Sequence, residues 1–143
     1  MTVHAILSRK GRDVVTIAPT AQLSEAVKML AARRIGAVIV TGADNRVAGI
    51  LSERDIVRSL GERGPAALDD NVAAVMTRKV TTCAEADTIS VIMERMTTGK
   101  FRHVPVIEQD RVVGVVSIGD VVKHRPKEME HESAALRDYI QTA

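Results

Sequence analysis

The chain has 143 residues, a net charge of +2 and a hydrophobic content of 45% that is almost entirely aliphatic, with one Phe, one Tyr and no Trp. This length permits one compact domain or two small halves that share a core. The scarcity of aromatic side chains and the scatter of Lys and Arg argue against a nucleic-acid-binding surface, despite the calculated pI of 8.9. One cysteine, Cys83, excludes an internal disulfide, and no apolar run approaches a membrane span or a signal peptide. The composition therefore predicts a cytoplasmic protein.

In chain order, the sequence consists of two copies of about the same unit. Each copy opens with a capping residue followed by apolar positions at i, i+3 and i+4. This spacing predicts a short amphipathic helix over residues 2–8 and another over residues 71–77. A short extended segment follows each helix, at residues 14–17 and 79–82.

A second amphipathic helix comes next in each copy, because apolar residues recur at i, i+3, i+4 and i+7. The positions are Leu23, Ala26, Val27 and Leu30 in the first copy and Ile89, Ile92, Met93 and Met96 in the second. A strand follows, over residues 35–40 and 101–107, and a polar turn leads into a further strand.

The most informative stretch is the end of each copy, at residues 47–57 and 112–122, where a strand passes into a helix. Each stretch carries a Gly, a Ser and an Asp at matching positions, which are Gly49, Ser52 and Asp55, then Gly114, Ser117 and Asp120. A Gly in a strand permits close approach of another backbone or a ligand, and the Ser can cap the helix. A hydroxyl and free amides at a helix start can hold phosphate, and a carboxylate beside them can accept bonds from ribose. Helix capping alone would explain a single Ser-and-Asp motif. The same motif at the same position in both copies favours a ligand site.

Each unit therefore has the order helix, strand, helix, strand, strand, helix and spans roughly 60 residues, too few to bury a secure core alone. Pairing the two copies face to face completes the core. We expect an α/β fold with a first repeat at residues 1–64, a linker at 65–70, a second repeat at 71–126 and a C-terminal helix at 127–143. The last helix has no counterpart in the first repeat, so we expect it to pack on the module or on a second subunit.

Both copies resemble the CBS domain (cystathionine-beta-synthase domain), and the tandem pair resembles a stand-alone Bateman module. The resemblance is carried by residues 35–37 and 49–52 with Asp55, and by residues 102–106 and 114–117 with Asp120. It implies an α/β fold in which two pseudo-symmetric repeats, each a small sheet with flanking helices, pack sheet to sheet and form two clefts. It also implies a homodimer that binds an adenine nucleotide and changes shape to regulate a partner protein.

The first implied cleft lies between the first repeat and the second motif. Its residues are Thr16, Ile35, Gly36, Ala37, Val115, Ser117 and Asp120. The resemblance implies that Asp120 accepts hydrogen bonds from the ribose hydroxyls and that Ser117 donates to a phosphate. It also implies that backbone groups of residues 36–37 contact the edge of adenine. Because the second motif lacks the Glu-Arg pair that follows Ser52, we expect this cleft to borrow a cation from Arg102, Lys100 or a neighbouring subunit.

In the second implied cleft, the residues are Thr82, Phe101, Arg102, His103, Val104, Ile50, Ser52, Arg54 and Asp55. Arg54, Arg102 and His103 are expected to meet phosphate. The first copy has no Pro in its strand at 35–40, whereas the second has Pro105, which leaves the adenine contacts of the first cleft open. Since both clefts keep the Ser and the Asp, we expect both to bind.

The resemblance implies AMP, ADP, ATP, NAD or S-adenosylmethionine as the ligand and no required cofactor. We expect AMP, because a hydroxyl, a few backbone amides and one or two Arg side chains suit a single phosphate. ATP or NAD fits if Arg54 and Arg102 extend the phosphate path.

Other interpretations remain open. No nucleophile–base pair, P-loop, Gly-rich dinucleotide turn or metal-ligand spacing appears, so we expect neither an enzyme nor a metal site. Asp55 and Asp120 also fit ordinary first-turn acids stabilised by the helix dipole. The basic stretch at residues 9–12 is interpreted as solvated, with a contact to an anion as the alternative. A nucleotide-independent dimeric interaction module, an enzyme that uses a bound nucleotide and a nucleic-acid-binding protein are the alternatives to a nucleotide sensor.

Overall fold

The computed structural model describes residues 1–124, which fold into short helices and two small sheets. The elements are α1 (Val3–Lys10), β1 (Thr16–Ile17), α2 (Leu23–Arg33), β2 (Ala37–Thr41), β3 (Val47–Ser52), α3 (Glu53–Arg63), α4 (Val72–Val75), α5 (Ile89–Gly99), β4 (His103–Glu108), β5 (Arg111–Ser117) and α6 (Ile118–His124). Short 3-10 helices at Ala43–Asn45 and Gly64–Asp69 join β2 to β3 and α3 to α4. The helix predicted at 127–143 lies outside the described residues.

Each repeat is built around an antiparallel hairpin, β2 with β3 and β4 with β5. The register places Ala37 opposite Ser52 in the first hairpin and His103 opposite Ser117 in the second. The start of one strand therefore lies beside the Ser at which the next helix begins. The predicted α/β fold class, with two repeated sheets flanked by helices, is confirmed.

The extended segments that precede the hairpins differ between the repeats. β1 pairs in parallel with β2, whereas the matching segment of the second repeat forms an isolated parallel bridge between Cys83 and Val106. Residues 79–82, predicted as a short extended segment in the strand position of the second repeat, therefore form no strand. Residues 79–82 contain one aliphatic side chain where residues 14–17 contain three, so less apolar surface holds this segment against its sheet.

Both hairpins turn through residues with positive φ. Gln109 and Asp110, at 52° and 63°, form the two-residue turn between β4 and β5, which matches the right-handed twist of the strands. Asp44 and Asn45, at 58° and 61°, lie in the longer first turn. Asn45 Nδ2 also donates to the carbonyl of Val112 at 3.0 Å, so the first turn is tied to the second sheet.

Each repeat contributes its opening helix to the core of the other. α1 places Val3, Ile6 and Leu7 in one buried cluster with side chains of α5, β4, β5 and α6. The segment that contains α4 places Val72 and Met76 in a second cluster with side chains of α2, β2, β3 and α3. Neither repeat is therefore complete without a helix from its twin.

Matching backbone hydrogen bonds fix this exchange on both sides. The N–H of Val3 donates to the carbonyl of Asp87 at 2.9 Å, and the N–H of Val72 donates to the carbonyl of Ala21 at 2.8 Å. These bonds join the start of each opening helix to the turn before the second helix of the other repeat. The internal repeat in the sequence is therefore also a repeat in the contacts between the two halves.

The strand glycines allow the exchanged segments to come close. A Cβ on Gly49 would lie 2.7 Å from the carbonyl oxygen of Thr77, and a Cβ on Gly114 would lie 2.9 Å from Leu7 Cδ1. The sequence predicts a close approach at both glycines. In the structure the approaching group belongs to the opening segment of the other repeat.

Candidate functional site

A cavity of about 470 Å³ opens between the two repeats, at the start of α3. This volume is within the range of small-molecule sites. Its walls come from the β3–α3 junction, the segment after α4 and the α5–β4 junction. The lining residues are Gly36, Ala37, Ile50, Ser52, Glu53, Arg54, Asp55, Arg58, Thr77, Lys79, Val80, Thr81, Gly99, Lys100, Phe101, Arg102 and His103. We call this cavity the Asp55 cleft.

Asp55 is the buried charge of this cleft, at 5% exposure. Its Oδ2 accepts the N–H of Ser52 at 2.9 Å, and its Oδ1 accepts the hydroxyl of Thr77 at 3.1 Å. Ser52 Oγ accepts the N–H of Asp55 at 3.3 Å, which completes a capping box at the start of α3. The capping role predicted for Ser52 is confirmed. Because a carboxylate offers about four lone pairs, Asp55 retains capacity to accept from a ligand hydroxyl.

Cationic side chains outnumber the carboxylates in the lining of the Asp55 cleft. Glu53 and Asp55 are the acids in this lining. The cations are Arg54, Arg58, Lys79, Lys100 and Arg102. Arg offers a planar, permanently charged group that binds phosphate oxygens in pairs. The cleft therefore combines one bonded carboxylate with a positively charged rim, which suits a ligand that carries both hydroxyl groups and phosphate.

His103 lies in the wall of the Asp55 cleft and is half-buried. Burial lowers the pKa of His103, the positive charge of Lys10 lowers it further, and the nearby Asp120 carboxylate acts in the opposite direction. A lowered pKa keeps the imidazole neutral at pH 7. His103 is therefore a neutral hydrogen-bonding group here, and the positive charge for a phosphate comes from the Arg and Lys side chains.

The second motif, at the start of α6, has the same local geometry as the first. Asp120 Oδ2 accepts the N–H of Ser117 at 2.9 Å, and Ser117 Oγ accepts the N–H of Asp120 at 3.1 Å. The side chain that contacts the Asp120 carboxylate from the other repeat differs from the one that contacts Asp55. Lys10 Nζ lies 2.7 Å from Asp120 Oδ2 and 3.0 Å from the carbonyl of Val115. Burial alone would raise the pKa of Asp120, but the hydrogen bonds from Lys10 and Ser117 hold it below its usual value.

The structure brings part of the predicted site together in the Asp55 cleft. Nine predicted residues line it: Gly36, Ala37, Ile50, Ser52, Arg54, Asp55, Phe101, Arg102 and His103. The resemblance assigns Gly36 and Ala37 to the cleft of Asp120, but the β2–β3 register places Ala37 opposite Ser52. The pairing of neighbouring strands within one repeat therefore adds these two residues to the cleft of Asp55.

The remaining predicted residues lie elsewhere: Thr16, Ile35, Thr82, Val104, Val115, Ser117 and Asp120. Thr82 lines a separate groove with Arg46 and Arg78, and Ile35 lines an apolar groove between α2 and α3. The side chain of Val104 is fully buried, so only its backbone is available to a ligand. A part for these residues in binding stays a prediction.

Sequence reasoning missed Lys10, Thr77 and Lys79. The signal was present, because the Arg-Lys pair at residues 9–10 recurs at residues 78–79. Lys10, whose side chain is 28% exposed, contacts the Asp120 carboxylate, which fits the alternative of an anion contact rather than solvation alone. The cation beside Asp120 is Lys10, which the expectation of a borrowed cation did not include, and a contribution from Arg102, Lys100 or another subunit stays a prediction.

Comparison with known proteins gives two matches to the CBS domain, at residues 5–62 and 72–127. The CBS domain-containing protein CBSX3 of Arabidopsis thaliana, a mitochondrial protein, is 35% identical over 121 residues, which cover 82% of this chain and 59% of CBSX3. The chain thus spans less than two thirds of that relative. No helix of the described residues is long and apolar enough to cross a membrane, and these residues contain no group of three or more His, Cys, Asp or Glu side chains placed for a metal ion.

Solved structures match over most of the chain. A CBS-domain-containing protein from Agrobacterium tumefaciens is 49% identical, with a TM-score of 0.83 over 87% of this chain and 93% of that one. A CBS domain protein from Pyrobaculum aerophilum, solved as a complex with AMP, is 29% identical, with a TM-score of 0.80 over 93% of this chain and 99% of that one. These identities and scores agree with the two domain matches.

Proposed function

The chain belongs to the CBS domain family, and on that premise we propose that it is a regulatory module that binds an adenine nucleotide in the Asp55 cleft. CBS domain pairs are regulatory modules and generally not enzymes. We take AMP as the ligand, with ADP, ATP, NAD and S-adenosylmethionine as the alternatives. Binding shifts the module between shapes, and a partner protein reads the shape.

The observation that carries the proposal is the arrangement of charge across the Asp55 cleft. Asp55 lies at the start of α3 with its carboxylate aligned by Ser52 and Thr77. Arg54 and Arg102 line the same cavity from different repeats. A ribose that donates to Asp55 would place its phosphate among these guanidinium groups, at the start of α3.

The choice of AMP rests on the number of charged partners and on one relative. Arg54 at the start of α3 and Arg102 on the other wall suit a single phosphate. The Pyrobaculum aerophilum protein, which has the same fold, was solved with AMP. ATP and NAD remain the alternatives because Arg58, Lys79 and Lys100 extend the positive rim.

Binding would change the shape of the module because the two walls of the cleft belong to different repeats. Ser52, Arg54 and Asp55 belong to the first repeat, whereas Lys79, Arg102 and His103 belong to the second. A ligand that contacts both walls favours the arrangement of the repeats in which both sets of contacts are made. Its effect on the module is limited to the difference between its affinities for the two shapes.

Calorimetric titration of the purified protein with AMP, ATP and NAD tests the proposal. We expect saturable binding that Asp55→Asn weakens about 10- to 100-fold, because a charge-assisted hydrogen bond contributes about 1.5–3 kcal/mol. Asp44→Asn, an exposed carboxylate in the first turn, is the matched control and should bind like the wild type. Absence of binding by any adenine compound to the folded wild-type protein would refute the proposal.

A second candidate, a dimeric interaction module that works without nucleotide, is favoured by exposed apolar side chains on α3 and α6. Val57 is 68% exposed and Val122, at the matching position of the second repeat, is 53% exposed. Burial of these faces against a second copy would remove apolar surface from water. Sedimentation of Val57→Glu and Val122→Glu variants, with and without AMP, separates the two candidates. A dimer that needs these residues in a protein that binds no nucleotide supports the second.

A further inference from the structure

We propose that Lys10 closes the second cleft, because its ammonium group occupies the position on Asp120 that ligand hydroxyls would need. The chain then binds one adenine nucleotide, in the Asp55 cleft, and a second only when Lys10 is displaced. This inference rests on the proposed function and adds a built-in control of the second site. The sequence, with its matching Ser and Asp in both motifs, predicts that both clefts can bind.

The contacts of the two carboxylates carry the inference. The hydrogen bonds to Asp55 come from neutral groups, among them the hydroxyl of Thr77 and the N–H of Ser52, while the cation of Arg58 lies 4.0 Å from Oδ1. Asp120 is held by a cation, with Lys10 Nζ at 2.7 Å from Oδ2. The same ammonium group donates to the carbonyl of Val115 at 3.0 Å. Two bonds therefore anchor Lys10 across the start of α6, and a ribose that donates to Asp120 competes with an ion pair.

The asymmetry arises from the lengths of the opening helices. Residues 3–10 and 72–79 match position for position, so that Ser8 corresponds to Thr77 and Lys10 to Lys79. α4 ends at Val75, and Thr77 then pairs with the backbone of Ile50, which directs its hydroxyl to Asp55.

α1 instead continues to Lys10 and ends at Gly11, with φ 102°. Ser8 is still helical, and its hydroxyl donates to the carbonyl of His4 at 2.9 Å, one turn back. The Ser8 hydroxyl is therefore bonded within α1, whereas the matching hydroxyl of Thr77 donates to Asp55. Lys10, at the end of the helix, contacts Asp120 instead.

The expected consequence is a loss of apparent affinity at one site only. If Lys10 holds Asp120 in about nine chains of ten, the second site binds about tenfold more weakly than it would without the lysine. Lys10 does not line the Asp55 cleft and acts there only through its charge, which lowers the pKa of His103, so we expect the larger change at the second site. A titration of the wild-type chain that stops once the Asp55 cleft is filled should therefore give a stoichiometry near one, with the second site filling only at about tenfold higher AMP.

The test compares Lys10→Met and Lys10→Gln with the wild type in calorimetric titrations with AMP. Both variants keep most of the side-chain stem and remove the charge. We expect each to bind two AMP per chain, and Asp120→Ala added to Lys10→Met to return the stoichiometry to one. Lys28→Met, an exposed lysine on α2, is the matched control and should keep one site.

A ligand-free measurement checks the ion pair itself. Brief acetylation followed by mass spectrometry should modify Lys10 several-fold more slowly than Lys28, and Asp120→Asn should remove the difference. Equal rates in the wild type overturn the inference. It is also overturned if, over the AMP range that fills the Asp55 cleft, the wild type binds two AMP or Lys10→Met stays at one. In the last case binding at the Asp55 cleft still supports the proposed function. Absence of AMP binding by both the wild type and Lys10→Met refutes the proposed function and the closure with it.

Discussion

The variant Gly49→Ala tests how strongly residues 76–77, which the second repeat places against β3, determine the geometry of the Asp55 cleft. A Cβ on Gly49 would lie 2.7 Å from the carbonyl oxygen of Thr77 and 2.8 Å from Met76 Sδ. The Thr77 backbone is fixed in place, because it accepts from the N–H of Ile50 and donates to the Ile50 carbonyl, each at 2.9 Å. An added methyl group therefore either breaks this pair of bonds or distorts β3.

The magnitude follows from two opposing terms. Overpacking a close contact typically costs about 1–3 kcal/mol. Replacing Gly by Ala restricts the unfolded chain and offsets about 0.4–1 kcal/mol of that cost. The net loss in the free energy of unfolding for Gly49→Ala is then about 1.5 kcal/mol. With a urea dependence of about 2 kcal/mol per molar, the unfolding midpoint falls by about 0.7 M.

Gly114→Ala is the matched control, since its Cβ would meet only the side-chain tip of Leu7, at 2.9 Å. A side-chain tip can shift more easily than a paired backbone, so we expect a smaller loss, within about 1 kcal/mol. Urea unfolding followed by circular dichroism measures both variants, and calorimetry measures AMP binding. A Gly49→Ala protein as stable as the wild type, or less affected than Gly114→Ala, would contradict the reasoning. Binding should weaken in Gly49→Ala, because Thr77 aligns Asp55.

Three further predictions follow from burial. Leu7→Ala should cost about 2–5 kcal/mol and lower amide-exchange protection in β4 and β5 more than in β2 and β3, since Leu7 packs in the core of the second repeat; the opposite pattern would contradict the exchange. Burial lowers the pKa of His103, so below about pH 6.5 the unfolded chain binds more protons than the folded chain and the wild type should lose stability. Urea unfolding at several pH values measures this loss, which should be smaller in His103→Gln. Burial raises the pKa of Cys83 to about 12, so the thiol should react with a disulfide reagent at pH 8 only as fast as the protein unfolds, and rapid labelling of folded protein would refute this.

The local structure was largely predictable from the sequence. Periodicity located the helices, and the repeated Gly, Ser and Asp located the strand-to-helix junctions, because these signals depend on neighbouring residues. The capping box formed by Ser52 and Asp55 is a contact across three residues, so spacing alone predicts it. The family resemblance adds the expectation of clefts between the repeats and names residues on both walls.

Contacts between distant segments were not predictable in the same way. The pairing of Lys10 with Asp120 depends on where α1 ends, and helix ends are weakly specified by sequence when the following residues are polar. Thr77 reaches Asp55 only because Gly49 admits its backbone. The two motifs are alike as sequences, and they differ through the segments that the other repeat places against them.

The exchange of opening helices also sets an order of events during synthesis. α1 leaves the ribosome first among the described elements, but Leu7 packs in a core that includes β5 and α6, which are made last. The first repeat in turn lacks Val72 and Met76 until α4 has emerged. A nascent chain therefore exposes the apolar face of α1 during nearly the whole translation of residues 1–124, and closing this contact bears the entropy of a long loop. The first repeat should then acquire protease resistance once Met76 has emerged, and the second only at a chain length beyond α6.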